Sequence, residues 1–329
     1  HEGAYNVALA KVIDEKNVFE MRFVFYLLKT QIFQTPLMML SRSAQNGFSK
    51  GEIAEIELPI PPIHEQKVIV SKIEELLSDI DNGKHQLIKA QKQLKIYRQS
   101  ILNFAFEGKL TNKNLKDGEL PSGWKWEKLN EICKIIGGVT KGKDYKGQST
   151  ISLPYLRVAN VQDGYLDLRE IKSIDVLPSD LDKYRLNYGD ILYTEGGDKD
   201  KLGRGTIWKD EIQDCIHQNH IIRARPISEN SNSKYIVYFS QTKSAKNYFY
   251  KHGKQTTNLA SINLTILSGL TLPICSKEEQ QLIVDELESK LTVCDKIEET
   301  ISQSLLQAES LRQSILKKAF EGKLVSILK

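Results

Sequence analysis

Three stretches carry residue types at spacings that could do chemistry. Residues 137–144, GGVTKGKD, approach a phosphate-binding loop: Gly137, four residues, then Gly142 and Lys143. Such a loop cradles phosphates on backbone N–H groups and then needs Ser or Thr to hold magnesium. The next residue is Asp144, whose carboxylate repels a nucleotide, so a flexible basic loop is the better reading. His217 and His220 stand three apart in HQNH, but in a strand pattern that spacing sends them to opposite faces. No Cys or carboxylate cluster accompanies them, which favours a polar strand lining a surface over a zinc site. Asp190, Glu195 and Lys199 can be set into a metal-nuclease pattern, although the tight Glu-x-Lys pair is missing.

The remaining polar loops suit DNA. KGKDYKG offers Lys141, Lys143, Tyr145 and Lys146; LRVAN offers Arg157 and Asn160; the glycine-rich stretch 195–205 offers Lys199, Lys201 and Arg204. His217, Gln218 and Asn219 follow, and residues 243–258 add Lys251 and Lys254 among three aromatics and no acid. Lysines suit phosphates, whereas Arg, Asn and Gln suit base edges. Residues 137–210 hold 12 basic and 12 acidic side chains, so each loop alone reads equally well as solvated surface. No metal and no cofactor is expected.

The elements that would position these loops are announced by a repeat. RQSILNFAFEGKL at 98–110 returns as RQSILKKAFEGKL at 312–324, with 11 of 13 residues the same. At the same offset of 214, Leu58-Pro59-Ile60, Glu65-Gln66, Ile69-Val70 and Asp81 recur as Leu272-Pro273-Ile274, Glu279-Gln280, Ile283-Val284 and Asp295. Register unbroken over that length points to a rigid helix, since one inserted residue would turn the rest by ~100°. The apolar positions step by four and three, giving an expected coiled-coil core. In the first helix it comprises Ile69, Ile73, Leu76, Ile80, Leu87, Leu94 and Ile101. In the second it comprises Ile283, Leu287, Ile297, Ile301, Leu311 and Ile315. Prolines 61–62 and Ser276 supply starts and Gly108 and Gly322 stops, so each helix spans ~60 Å. Five basic and no acidic residues lie between Lys84 and Arg98, and five acidic and no basic ones between Glu278 and Glu288, which favours antiparallel pairing.

The expected division is 1–62, the C-terminal remnant of a first globular domain; 63–109, a spacer helix; 110–121, a linker; 122–275, a second globular domain; and 276–324, a second spacer helix. Residues 1–12 resemble 217–227 and FVFYL at 23–27 resembles YIVYF at 235–239, so the first domain reads as lacking its front. A mixed α/β (α+β) domain alternates with helices, and one amphipathic helix is expected at about 233–250. The bulk numbers (329 residues, 40% hydrophobic, net charge +4) fit a cytoplasmic protein with no membrane segment and four reduced cysteines.

LPSGWKWEKLNEI (120–132), LPYLRVANVQDGYLDL (153–168), YGDILYTEGGD (188–198) and the LPI…EEQQLIVDELE run (272–288) with SILKKAFEGKL (314–324) carry a resemblance. Together they resemble the specificity subunit of type I restriction-modification systems, across essentially the whole chain. The resemblance implies two target recognition domains, each reading one half of a bipartite site in double-stranded DNA, with an antiparallel coiled coil fixing the gap. It also implies two methyltransferase (modification) subunits and restriction/translocase subunits as partners, and no catalytic residue in this chain. Self-association would supply two intact second domains. The alternatives are a coiled-coil scaffold for protein partners and a metal-dependent nuclease acting through Asp190 and Glu195.

Overall fold

The computed structural model describes residues 12–40, 50–112, 115–116, 118–197, 202–228, 231–255 and 260–324. The stretch 1–11, compared above with 217–227, lies outside these residues. The chain divides into two units, residues 1–94 with 296–329, and residues 95–295.

The first unit holds α1 (Met21–Leu27), α2 (Gln31–Leu40), α3 (Lys50–Ala54), the first part of α4 (Ile63–Phe106) and the last part of α10 (Lys277–Phe320). Its core joins Phe23 and Leu27 of α1 to Ile69, Val70, Ile73, Leu77 and Ile80 of α4 and to Ile315, Leu316, Ala319 and Phe320 of α10. Phe23 and Phe320 meet with ring centroids 5.0 Å apart, tilted by 57°. Arg312 reaches Asp81 and Lys84 reaches Glu309, each at 3.1 Å, so the two helix segments run antiparallel. Arg22 of α1 pairs with Glu74 at 2.8 Å.

The second unit takes the last part of α4 and the first part of α10, together with the intervening domain. That domain is built on β1 (Lys125–Lys128), α5 (Leu129–Ile132), β2 (Cys133–Gly137), β3 (Ile151–Leu156), β4 (Lys172–Val176), α6 (Pro178–Tyr184) and β5 (Ile191–Thr194). It continues with β6 (Gly196–Gly197), β7 (Gly205–Ile207), β8 (Ile216–His217), β9 (Ile221–Pro226), α7 (Ser233–Ser240), α8 (Lys243–His252) and β10 (Lys254–Gln255). It ends with β11 (Ala260–Ser261), α9 (Leu264–Ser268) and β12 (Thr271–Ile274). Strands order as β2-β9-β5-β7, β4-β3-β8, β10-β11-β6 and β1-β12. β5 is buried at all four positions because sheet neighbours flank it and side chains cover both faces. Trp208, Leu192, Leu156 and Ile221 form one apolar cluster, and Ile216, Tyr155 and Val176 a second. Arg98 reaches Asp295 at 2.5 Å, and Lys234 of α7 pairs with Glu288 at 2.7 Å.

At the start of each long helix a glutamine is buried outright. Gln66 donates to the carbonyls of Pro61 and Val18 and accepts from the N–H of Glu20, the N-cap residue of α1. Gln280 donates to the carbonyl of Cys275 and accepts from the N–H of Asn232, the N-cap residue of α7. Both helices end on a glycine with positive φ, Gly108 and Gly322. The next N–H in each case reaches back five residues, Lys109 to Phe104 and Lys323 to Lys318, closing the last turn.

Two expectations are corrected. The expected 3.5-residue stripe is buried on both of its lines only at the helix starts, where Ile69 and Ile283 are buried, and mostly on one line beyond them. Ile73, Ile80, Leu94 and Ile101 are buried, as are Leu287, Cys294, Ile301 and Ile315. Ile297 and Leu311 are 44% and 52% exposed and so are not core, while Leu76 and Leu87 are half-buried and Leu77 takes the interior place. A straight helix drifts by ~20° per heptad, and burial widens only where α1 or α7 adds a second packing surface. The single helix expected at 233–250 is two, because Thr242 caps α8 by accepting from the N–H of Ala245.

Replacing Gln280 by Leu leaves the Asn232 N–H and the Cys275 carbonyl without their partner. Urea unfolding is expected to show a loss of about 1–3 kcal/mol per stranded group, whereas Gln281→Leu, at an exposed position, should cost far less.

Candidate nucleic-acid interface

The polar loops are tied together mainly by backbone bonds at the end of β5 and the start of β9. Glu195 donates its N–H to the carbonyl of His220 and accepts from the N–H of Ile262, and Thr194 donates to Arg204. Val139 donates to His217, Asn219 donates to Val139, and Gly164 donates to Gly205. These bonds gather the loops beginning at Val139, Gln162, Glu195, Arg204 and Gln218. β6 pairs with β11 and β11 with β10, which brings Lys254 opposite Ser261 and Ser261 opposite Gly196.

On this frame Arg204 is half-buried, with its Nη1 donating to Gln162 Oε1 at 3.2 Å. His220 Nδ1 lies 2.8 Å from Glu195 Oε2, an exposed pair beside the two glycines of β6. Gln218 and Asn219 are half-buried at the β8–β9 turn, and Lys141, Lys143, Lys146, Lys251 and Lys254 are exposed. Tyr145 points its hydroxyl to Asp180 at 3.4 Å, which tethers the 141–147 loop to α6. Arg157 is turned inward, bonding the carbonyl of Glu170 at 3.1 Å. Lys199 and Lys201 lie outside the described residues. The Arg169 guanidinium, hydrogen-bonded to Asp167, holds that carboxyl at about 2.

Two expected DNA contacts are corrected by burial. Asn160 is 3% exposed: its oxygen accepts from the Arg157 N–H, and its amide donates to the carbonyls of Asp167 and Glu170. His217 is fully buried, its Nδ1 3.0 Å from the carbonyl of Ile221, and so cannot meet a base edge. The near phosphate-loop motif also has a packing explanation. A Cβ on Gly138 would stand 2.0 Å from the His217 carbonyl, so the second glycine lets two backbones touch. Asp190 is held by Arg225 through Oδ1 at 2.6 Å and Oδ2 at 2.7 Å, and is 1% exposed. That pairing spends the carboxylate the nuclease reading requires. Reasoning from sequence missed Gln162 and the Glu195–His220 pair as contributors here, because their meeting depends on β5, β7 and β9 lying side by side.

Burial, followed by the Arg223 and Arg225 charges, pushes the His217 imidazole down to about 3. An ordinary imidazole titrates near 6.5, so the unfolded chain takes up a proton that the folded one refuses. Stability is therefore fully present above that pH and falls by about 1.4 kcal/mol per pH unit as pH drops toward the folded value. Comparing unfolding free energies at neutral and mildly acidic pH checks this, with His217→Phe expected to lose that share of the slope.

Residues 3–91 and 121–307 match the family profile described as the type I restriction modification DNA specificity domain. The chain is 30% identical over 316 residues to the type I restriction enzyme EcoKI specificity subunit of Escherichia coli strain K12, covering 95% of this chain and 67% of that protein. It is 28% identical over 307 residues to the StySPI specificity subunit of Salmonella potsdam, covering 92% of this chain and 65% of that one. It therefore spans about two thirds of the length of these relatives. Among solved structures, a chain from a study of type I R-M complex assembly superposes with a TM-score of 0.71 at 19% identity, over 93% of this chain and 72% of the other. The HsdS subunit from Thermoanaerobacter tengcongensis gives 0.59 at 20%, over 94% and 72%; both likenesses speak to the fold. The chain belongs to the type I restriction-modification DNA specificity domain family.

Proposed function

We propose that this chain is the sequence-reading and assembly subunit of a cytoplasmic type I restriction-modification complex, without catalytic residues of its own. Residues 122–275 are the recognition domain, reading one half of a bipartite double-stranded DNA site. Residues 63–109 and 276–324 are spacer helices paired as an antiparallel coiled coil, joined to that domain, the second, by the linker 110–121, and 1–62 belong to the first recognition domain. The observation that carries the reading domain is the gathering of Arg204, Gln162, Gln218, Asn219 and Lys254 on one backbone-bonded frame. Arg, Asn and Gln are the side chains that read base edges, and Lys141, Lys143, Lys146 and Lys251 supply phosphate contacts around them. Tyr145 joins that surface, and Arg157 acts by shaping its loop.

The antiparallel spacer is supported by ion pairs in one register. From Asp81–Arg312, a step of three residues forward on α4 and three back on α10 gives Lys84–Glu309. Fourteen further in the same sense gives Arg98–Asp295. Helices of 44 residues each, Ile63–Phe106 and Lys277–Phe320, begin 214 residues apart, as a repeated unit requires. Apolar side chains left open on the helices, Ile297, Leu306 and Leu311 in one unit and Tyr97, Phe104 and Val293 in the other, suit docking of modification subunits, to which restriction subunits add.

Selection from random DNA with a methyltransferase partner present tests this reading. A bipartite motif with a fixed gap is the expected result, and absence of any enriched motif would leave a protein scaffold instead. Arg204→Ala is expected to relax one base position at a cost of about 1–3 kcal/mol; uniform weakening would mark it as a phosphate contact. Adding one heptad within residues 69–97 should change the gap or prevent assembly while the half-site bases stay the same.

A further inference from the structure

Among the described residues of the stretch 195–205, Arg204 is the sole cation, and its backbone is pinned on both sides. Gly203 and Gly205 flank it, and a Cβ on the first would overlap the Phe249 ring and on the second the Tyr193 ring. The chain therefore lies directly on two buried aromatics. The Arg204 carbonyl accepts from the N–H of Thr194, and that of Gly205 from the N–H of Gly164. Gly164 lies in a tight hairpin in which Val161 bridges Leu166 and the Gln162 N–H donates to the carbonyl of Tyr165. Its φ of 81° suits glycine at that turn. Fully buried Val161 roots the hairpin in the Trp208 cluster.

The Arg204 side chain is held as firmly. Nη1 donates to Gln162 Oε1 at 3.2 Å, and Gln162 Nε2 donates to the carbonyl of Ala159 at 2.8 Å. With both ends of the amide engaged, its oxygen must face the guanidinium, because the reverse would set donor against donor. That acceptor is uncharged, and no carboxylate pairs with Arg204 among the described residues, so the cation keeps its charge for a partner. Nε is buried. The N–H groups left for an outside acceptor are those of Nη2 and the second hydrogen of Nη1.

We infer that Arg204 binds the edge of one guanine and that Gln162 is its positioning residue, acting through the guanidinium. The inference rests on the DNA-reading function proposed above and names the base for this part of it. Guanine sets two acceptors, O6 and N7, side by side in the major groove, which matches two adjacent N–H groups of a planar fork. Adenine places an amino donor where O6 would be, cytosine offers an amino donor, and thymine a single acceptor. A phosphate also accepts from arginine, but it gains little from a fork fixed in one orientation. The exposed Lys141 and Lys143 serve phosphates with freely turning ends. Losing the Gln162 acceptor frees the fork to rotate, so discrimination falls while the attraction of the charge remains.

The test is DNA selection followed by competition binding, with the chain assembled with a methyltransferase partner and base preference read at every half-site position. The parent is expected to require guanine at one position. There 7-deazaguanine, which lacks the N7 acceptor, should weaken binding about tenfold, and Arg204→Ala should abolish that difference. Gln162→Met keeps the side-chain length without the acceptor. It should lower the guanine preference about tenfold at that position alone, with binding to unrelated DNA and the melting temperature unchanged. Gln162→Glu should recover part of the preference, and Gln162→Met added to Arg204→Ala should cost nothing further. Equal weakening on all sequences makes Arg204 a phosphate contact and overturns the inference. So does a preference at that position for another base, or relaxation of a second position by Gln162→Met, which would make Gln162 a reader itself. If the parent enriches a motif that Gln162→Met leaves intact, this inference alone fails; if the parent enriches none, the DNA-reading function fails with it.

Discussion

A buried glutamine amide at the first turn of each long helix is the constraint on which the rest of the structure hangs. A glutamine offers two donors and an acceptor without charge, so it can be taken out of water if all are matched. Gln66 is so matched, and Gln280 bonds the Cys275 carbonyl and the Asn232 N–H, so each joins the segment preceding its own helix to the N-cap residue of a short helix. That single side chain fixes the angle at which α1 or α7 lies on the long helix. The aromatic contacts beyond it follow: Phe23 on Phe320 in one unit, and Tyr235 and Phe239 on Phe106 in the other. The flanking ion pairs Arg22–Glu74 and Lys234–Glu288 are half-exposed and add orientation more than energy.

Inside the domain between the two long helices the polar interior has a different task. Asp190 is almost wholly buried, and Arg225 meets it with two parallel bonds while Arg223 stands 4.0 Å away and donates to the carbonyl of Arg185. Burial, more than the neighbouring Arg225 charge, lowers the Arg223 guanidinium to about 10. Such a group contributes little net stability against an apolar replacement, but it defines one arrangement of β5, β9 and the preceding turn. The frame that carries the polar loops is therefore held by specific bonds on one side and by the Trp208 cluster on the other.

Much of this was legible in the residues. The recurring RQSIL and AFEGKL, the Glu-Gln pair and the terminal glycines marked both long helices and their ends, because a helix makes spacing meaningful. The charge bias between Lys84–Arg98 and Glu278–Glu288 does not describe the ion pairs, since Lys84 meets Glu309 and Arg98 meets Asp295, both outside that acidic run. Which apolar line would be buried was not legible: Leu77 rather than Leu76 faces inward because α1 packs there, a tertiary fact. Residue type alone marked the candidate site, and type cannot separate exposed Lys143 or half-buried Gln218 from interior His217 and Asn160. HQNH looks uniformly polar, yet its first histidine is sealed beneath Tyr184 and its last is in water.

The polar loops of the domain between the long helices are pinned to one another largely by main-chain bonds, Val139 with His217 and Asn219, Gly164 with Gly205, Glu195 with His220 and Ile262. Main-chain bonds are indifferent to the side chain mounted on them. The frame can thus exchange the polar groups it displays without shifting its own geometry, provided Gly138 and Gly203, whose places have no room for a Cβ, are kept. An ancestral lineage could retune what the surface prefers one residue at a time, with folding untouched at each step.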